Sequence, residues 1–538
     1  MRIAPERLVL LAAIMGSFVA GLDATVVNVA LPAIERDLGG GLAGQQWVSN
    51  GYLLALGALI LIGGSLGDVF GERLVFSIGV SGFGVASLLC ALAPSIEVLV
   101  AARVLQGVFG ALLAPSALAV IVSAFPPDER GGAIGSWTAW SGIATVIGPF
   151  LGGWLIDAGS WRWIFALNVP FVLATLALVA VAIPPPEPGR VRRHVDWTGA
   201  ALCAVGLAGP VYGLIRQPEA GWASVEVLGP ILGGVALLAT FLWHERRISD
   251  PMLPLGLFAR RNFSVGNLQT LAMYGGLSIT FFILVLYLQQ VAGYDALQAG
   301  AATLPTTLVM FVLSKRFGAL ADRIGPRLLM GGGPLVAAAG LAWFIRMPAR
   351  VDYVVDVLPG LLVFSLGLAM TVAPLTMTVL ADADEHNAGI ASGVNNAVAR
   401  VAGLLAIAAL GAVVAATFAS SLENSLPARV SLSPAAQRAV ADARDRTLAR
   451  ADTDGLADDE ARVVAGAVED ASVRALRTGM GIAAALVALG GVLGLVGIVN
   501  PRREVSAAGC AGGQLVGAPE EVALPRAPAE YPSTGAAV

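Results

Sequence analysis

The residues of this sequence with the most chemical content are charged side chains standing where charge is costly. Asp23 lies in "GLDATVVNVALP" (21–32), inside an apolar run that extends from Leu8 to Leu31. An ionised group at the centre of a bilayer costs about 2.5–3.5 kcal/mol on insertion scales, so an acid there is a functional site by default. Burial favours the neutral form of a carboxyl group, which suits Asp23 to take up and release protons. A basic residue is misplaced in the same way: Arg103 lies on "ARVLQGVFGA" (102–111). If the two helices are antiparallel, Asp23 lies about 12 Å and Arg103 about 7 Å from the same membrane face, at 1.5 Å per residue. They are therefore at comparable depth. Asp23 reads either as a permanent ion pair with Arg103 or as a carboxylate that exchanges a proton beside a cation, and both can hold. Such chemistry couples ions; it makes and breaks no covalent bonds.

Further polar residues accompany them. Arg103, Gln106, Gly107 and Gly110 recur at i, i+3, i+4 and i+7, one face of a helix. In the second half, Asn395, Asn396 and Arg400 share one expected helix, and no carboxylate within the last six helices neutralises Arg400. Its expected partner is Asp23, an anionic substrate or backbone carbonyls. Asn28, Gln106, Asn395, Asn396 and Arg400 are candidates for lining a substrate cavity. Gln269 and Gln289 are weaker candidates, because polar residues often only bridge helices. Trp137, Trp140, Tyr274 and Tyr287 could stack on a ligand, though membrane belts and packing explain them equally well.

Other chemistries find no support. Cys90, Cys203 and Cys510 form no close pair, and His194, His244 and His386 are scattered at expected helix ends, where they read as solvated. No zinc spacing, hydrolase elbow or phosphate-binding loop with its lysine is present. An enzyme, a cofactor, a metal site and a nucleic-acid partner are not expected. The energy source is then an ion gradient, the proton being the simplest.

The elements that must position these residues are membrane helices. Of the 538 residues, 57 % are hydrophobic and 13 % charged, with a mean hydropathy of +0.78; soluble chains carry about 25 % charged residues. Apolar stretches of the roughly 20 residues that span a bilayer recur near 8–31, 46–66, 74–93, 98–122, 133–156, 163–183, 197–215, 225–243, 265–291, 297–317, 327–347, 356–380, 390–418 and 479–499. That is fourteen helices. The first is too long for the apolar part of a signal peptide. Seventeen short-loop and terminal arginines and lysines fall on the N-terminal side and five on the other, which places both termini in the cytoplasm of a cell-membrane protein. The loop "ADADEHN" (381–387) disagrees, being acidic on the cytoplasmic side. Residues 420–477 form an expected external loop, with an amphipathic helix over 433–451. The tail 504–538, rich in Pro, Gly and Ala, reads as disordered.

Two segments repeat. "GSLGDVFGERL" (64–74) and "GALADRIGPRL" (318–328) both fit G-x-L-x-D-x-x-G-x-R-L, with the aspartates 254 residues apart. Eight expected helices separate them, so both face the same side, as in parallel repeats about an axis normal to the membrane. Gly64, Asp68, Gly71 and Arg73, with Asp322, Gly325 and Arg327, then form a gate whose pairs make and break between conformations. Fourteen helices resolve into six, two and six: a six-helix bundle over 1–190, two inserted helices over 191–250, and a second bundle over 251–503.

At this point the chain resembles the major facilitator superfamily, and within it the fourteen-helix drug:proton antiporters. "LDATVVNVALP" (22–32) is similar to that branch's first-helix signature, and "GSLGDVFGER" to the superfamily's loop motif, with Val69 and Glu72 at commonly basic positions. "ARVLQGVFGA" resembles the motif around a membrane arginine. "ATVIGPFLGGWL" (144–155) resembles the antiporter motif, with Ala144 where glycine is usual. "SWRWIFALNVP" (160–170) is also typical. Gly148, Pro149, Gly152 and Gly153 are the antiporter motif's residues; the glycines favour tight helix contact and the proline kinks the helix. The resemblance covers residues 8–500. It implies the major facilitator fold and a multidrug efflux function conferring antibiotic resistance, with Arg103 influencing proton release from Asp23. The expected protein is a monomeric, proton-coupled exporter of hydrophobic drugs, dyes or antibiotics by alternating access. A dedicated exporter of an endogenous metabolite, or a membrane sensor whose 420–477 loop binds a partner, are the alternatives.

Overall fold

In hydrocarbon no water is available to bond exposed backbone N–H and C=O groups, so a chain this apolar must bond them within itself. A computed structural model describes residues 5–126, 130–183, 195–249, 251–381, 388–426, 432–445, 448, 451, 453 and 455–500, and all regular structure among them is helical. Residues up to Ile498 form one compact unit; a second unit, 499–538, is described only at its first two residues.

The helices in chain order are α1 (Pro5–Leu38), α2 (Gly41–Phe70), α3 (Glu72–Ala91), α4 (Ile96–Ala124), α5 (Arg130–Ala158), α6 (Arg162–Ala166), α7 (Asn168–Ala182), α8 (Trp197–Ala220) and α9 (Val225–Glu245). They continue with α10 (Arg261–Gln290), α11 (Ala296–Ala302), α12 (Leu304–Ile324), α13 (Pro326–Trp343), α14 (Leu358–Ala381), α15 (Ala388–Ser425), α16 (Pro434–Asp445) and α17 (Asp458–Gly497). Twelve spans among the described residues are long and apolar enough to cross a membrane. Helices α2 and α5, 30 and 29 residues long, stand where two further spans are expected.

Packing follows the sequence order of the two halves. Helix α1 lies against α4, α5 and α7, and α3 against α4 and α7; α10 lies against α14, α15 and α17, and α13 against α14 and α17. The halves meet through α2 with α15, α5 with α11 and α1 with α10, while α9 pairs with α8, which leans on α2 and α15. Lipid is as apolar as leucine, so close van der Waals packing of small residues drives these contacts. A Cβ on Gly107 would sit 2.4 Å from the Tyr52 carbonyl oxygen, which shows how near α4 comes to α2. Large apolar side chains such as Val181, Leu232 and Phe311 are exposed on the outer surface, as a lipid-facing shell requires.

Two expectations need correction. The repeated motifs are not loops: α2 continues through Phe70 and α12 through Ile324, and one glycine separates each from the next helix. Gly71 has φ 90° and Gly325 φ 86°, with ψ 137° and 151°. A residue without Cβ enters this region at little cost, so the chain reverses in one residue and the rest of each motif remains helical. The close match of the two turns is the structural counterpart of the sequence repeat. The side-chain surroundings of Gly64, Asp68 and Asp322 lie outside the described residues. Arg327 donates to the Leu495 carbonyl at 2.6 Å, beside Arg261, which reaches Gly497 and Val496. Both cations thus satisfy terminal carbonyls of α17, where the helix dipole favours positive charge.

Nor is 420–477 a plain loop. Helix α15 extends to Ser425 and α17 begins at Asp458, because alanine-rich sequence propagates a helix beyond its apolar part. The amphipathic helix expected over 433–451 is present as α16, fastened by Ser433, whose N–H and hydroxyl donate to the Glu460 carboxylate at 2.7 and 2.8 Å. Residues 382–387, His194, His386 and the tail 504–538 lie outside the described residues.

Candidate functional site

Asp23, on α1, and Arg103, on α4, meet as their depths predict. Arg103 Nη1 donates to Asp23 Oδ2 at 2.5 Å, with both side chains at most 2 % exposed. The second carboxylate oxygen, Oδ1, accepts from Gln106 Nε2 at 3.0 Å and from Asn168 Nδ2 at 3.2 Å. Ser87 joins them from α3, accepting from Gln106 at 2.8 Å and from Asn168 at 3.1 Å. Arg103 also donates from Nε to the Val48 carbonyl at 3.1 Å and from Nη1 to Gln106 Oε1 at 2.6 Å. Its guanidinium lies 4.3 Å from the centre of the Tyr52 ring. A buried ion pair is tolerated only where the remaining polar atoms are also bonded, and here four helices besides α1 supply those partners.

Gln106, a candidate for the substrate cavity, is therefore fully buried in the ion-pair network. Asn168 and Ser87 were not singled out from the sequence. Neutral polar residues are ordinary in membrane helices, and the one available signal was Asn168 within the family-like "SWRWIFALNVP".

The glycine–proline segment Gly148–Gly153 lies on the neighbouring helix α5 and faces two ways. A Cβ on Gly148 would come within 2.2 Å of Thr25 Oγ1, and one on Gly152 within 2.3 Å of a Val26 methyl, so α5 is seated on the stretch of α1 that follows Asp23. A Cβ on Gly153 would lie 2.5 Å from the Ala296 carbonyl oxygen, and one on Gly300 2.2 Å from that of Pro149. Backbone thus touches backbone between α5 and α11. Asp157, at the end of α5, accepts from the N–H groups of Leu297 at 2.7 Å and Ala296 at 3.3 Å, capping α11 from the other half.

The second-half candidates gather separately. Asn395 donates to Thr270 at 2.8 Å and to Asn267 at 3.2 Å, a polar cluster between α15 and α10. Arg400 is half-buried where α15 crosses α2, its Cβ 3.3 Å from the place of a Cβ on Gly57. It is not among the partners of Asp23 given by the hydrogen bonds and ion pair at that carboxylate. Asn28 is half-buried on α1 and Asn396 is exposed. Gln289 joins the halves by donating to the Val29 carbonyl at 3.0 Å, as does Gln46 to that of Ile407 at 2.6 Å. His244, expected to be solvated at a helix end, is in the last turn of α9 and partly exposed, but its Nε2 also lies 2.9 Å from Asp196 Oδ1.

Comparison with known proteins gives a consistent picture. A family model described as Major Facilitator Superfamily matches residues 13–407. The chain is 39 % identical over 402 residues to the puromycin resistance protein pur8 of Streptomyces alboniger, covering 73 % of this chain and 78 % of that protein. It is 36 % identical over 410 residues to the tetracenomycin C resistance and export protein of Streptomyces glaucescens, covering 76 % and 75 %. It is 35 % identical over 402 residues to the probable actinorhodin transporter of Streptomyces coelicolor, covering 72 % and 69 %. Among solved structures, the inward-facing, unoccupied bacterial homolog to the human lysosomal transporter Spinster matches with a TM-score of 0.63 at 17 % identity, covering 93 % of this chain and all of that one. The D-xylose-proton symporter matches with a TM-score of 0.55 at 15 % identity, covering 76 % and 90 %. At these identities the solved structures speak for the fold alone.

Proposed function

Because the chain belongs to the Major Facilitator Superfamily, we propose that it is a secondary-active exporter exchanging protons for hydrophobic drugs, dyes or antibiotics. The observation that carries this reading is the Asp23–Arg103 pair, buried inside the protein with Arg103, Gln106 and Asn168 all donating to the carboxylate. Protonation of Asp23 removes the charge that draws Arg103, Gln106 and Asn168 together, and so unties α1 from α4 and α7. Helix α1 bears directly on Gly148 and Gly152, and α5 in turn bears on α11. A change of charge at Asp23 can thus be passed by rigid packing to a contact between the halves. Substrate entering from the cytoplasm favours the ionised state, and a proton from outside restores the other.

Several features support an exporter. Relatives are named for resistance to puromycin and for resistance to and export of tetracenomycin C. A dedicated exporter of one endogenous compound is the second reading, favoured by likeness to the probable actinorhodin transporter. The breadth of substrates separates the two. On this account the working body is a bundle over 1–190, inserted helices over 191–250 and a bundle over 251–503, in the cell membrane with both termini cytoplasmic. Arg400, Asn395, Asn396 and Asn28 face the substrate path, and no cofactor takes part.

Everted vesicles carrying the protein should accumulate a fluorescent lipophilic cation while a pH gradient is imposed. Dissipating that gradient with a protonophore should return accumulation to that of vesicles lacking the protein. Accumulation that survives the collapse would overturn proton coupling.

A further inference from the structure

Among the described residues, one cluster of titratable groups besides the Asp23 site is buried: Asp196, His244 and Glu245, where the pair α8–α9 ends. Asp196 is 8 % and Glu245 3 % exposed. Asp196 Oδ1 caps α8 by accepting the Gly199 N–H at 2.8 Å and also lies 2.9 Å from His244 Nε2. Glu245 Oε2 accepts the Leu253 N–H at 2.9 Å, which ties down the segment leading to α10. The remaining oxygens, Asp196 Oδ2 and Glu245 Oε1, are buried and have no donor. Both point at the same place, lying 2.1 and 2.7 Å from where a Cβ on Gly199 would be.

Two buried carboxylates cannot face each other without a donor between them, and like charges sharing a site push one proton on. We propose that Asp196 and Glu245 form a second proton-binding site, in which a proton carried by Glu245 bridges to ionised Asp196. The assignment of the proton follows from the partners. Burial works to raise the Asp196 carboxyl, but hydrogen bonds from the Gly199 N–H, His244 and Glu245 outweigh it and hold Asp196 below the usual carboxylate range. Asp196 is thus the better acceptor. Release of the proton leaves two facing carboxylates, and the departing proton has a route through the His244 ring, whose side chain is 24 % exposed.

Among the described residues the surroundings supply little else that titrates; Arg190, Arg192, Arg193 and His194 lie outside them. From α8, Cys203 lies within reach of the Glu245 charge. After Glu245 come Arg246 and Arg247, both exposed, the latter stacked 4.5 Å over Trp243. Helix α2 presents Leu59, Ile62 and Leu66 to this corner, and the following segment presents Met252 and Leu253, all apolar. Helix α15 meets α8 elsewhere, through Leu404 and Ala408 against Val211 and Ile215. Asp250 lies outside the described residues. Ionisation of the pair therefore falls on the junction that holds α8 and α9 to α2 and to the chain entering the second half. High pH on the side where α9 ends should loosen it.

Infrared titration of the purified full-length protein tests the site without reference to transport. The C=O stretch of a protonated carboxyl should disappear as the pH rises, and Glu245→Gln should abolish that band. Asp196→Asn should keep the band and move its midpoint to lower pH by about one unit or more, because a facing negative charge is gone. Asp23→Asn should leave the midpoint where it is, which separates this site from the one between α1 and α4. An identical set of carboxyl bands in wild type and Glu245→Gln would overturn the proposal. So would an unmoved midpoint in Asp196→Asn, which decides the matter should Glu245→Gln fail to fold.

Discussion

Replacing Arg103 with alanine is expected to cost about 3–5 kcal/mol of stability, because it leaves Asp23 as an unpaired buried charge. The loss should appear as a large fall in the thermal midpoint of the detergent-solubilised protein, together with loss of transport. The sign of the effect depends on the partner. In the double variant Asp23→Asn with Arg103→Gln the charge has gone from both sides, so most of the stability should return while transport does not. Arg103→Lys should fall between, since lysine keeps the charge but lacks the planar fork that bonds Asp23, Gln106 and the Val48 carbonyl together. Equal stability of the single and double variants would mean that the pair is not coupled.

The second large effect lies at Gly153. A side chain there meets backbone atoms of Ala296 and Leu297 at 2.5 Å, and backbone cannot step aside as a flexible side chain can. Overpacking of this kind costs about 1–3 kcal/mol. If α5 and α11 touch in only one of the alternating states, Gly153→Val shifts the equilibrium away from that state by about 5- to 140-fold, at 1.4 kcal/mol per factor of ten. Spin labels on α5 and α11 should report a longer mean distance, and efflux should fall with it. Gly233→Ala is the control, because a Cβ there meets nothing within 4 Å. An unchanged distance in Gly153→Val would mean that the α5–α11 contact does not distinguish the alternating states.

How much of this was legible beforehand depended on the kind of residue. Asp23 and Arg103 announced themselves because a charge in an apolar run is costly, and helix rise put them at matching depths. The antiporter glycines were visible as a motif, but not that Gly148 and Gly152 serve α1 while Gly153 serves α11; that division depends on which helices surround α5. Asn168 and Ser87 complete the carboxylate's shell from α7 and α3, and their neutral side chains carry no penalty that sequence reading could notice. Helix ends were the least legible. Gly71 and Gly325 marked the turns correctly, but the aspartates and glycines around them looked like loop residues when they continue helices. Asp196 and His244, 48 residues apart at opposite ends of an inserted pair, look solvent-facing until the pair folds back on itself.

The central claim is that Asp23 exchanges its proton as substrate binds, and the most direct test is proton release. Purified protein in weakly buffered detergent solution would be mixed with a transported lipophilic cation while a pH dye records the bulk. Wild type should release protons on substrate addition, and Asp23→Asn should bind the substrate and release none. Release of the same amount by Asp23→Asn would contradict the account and move the coupling site away from the buried pair.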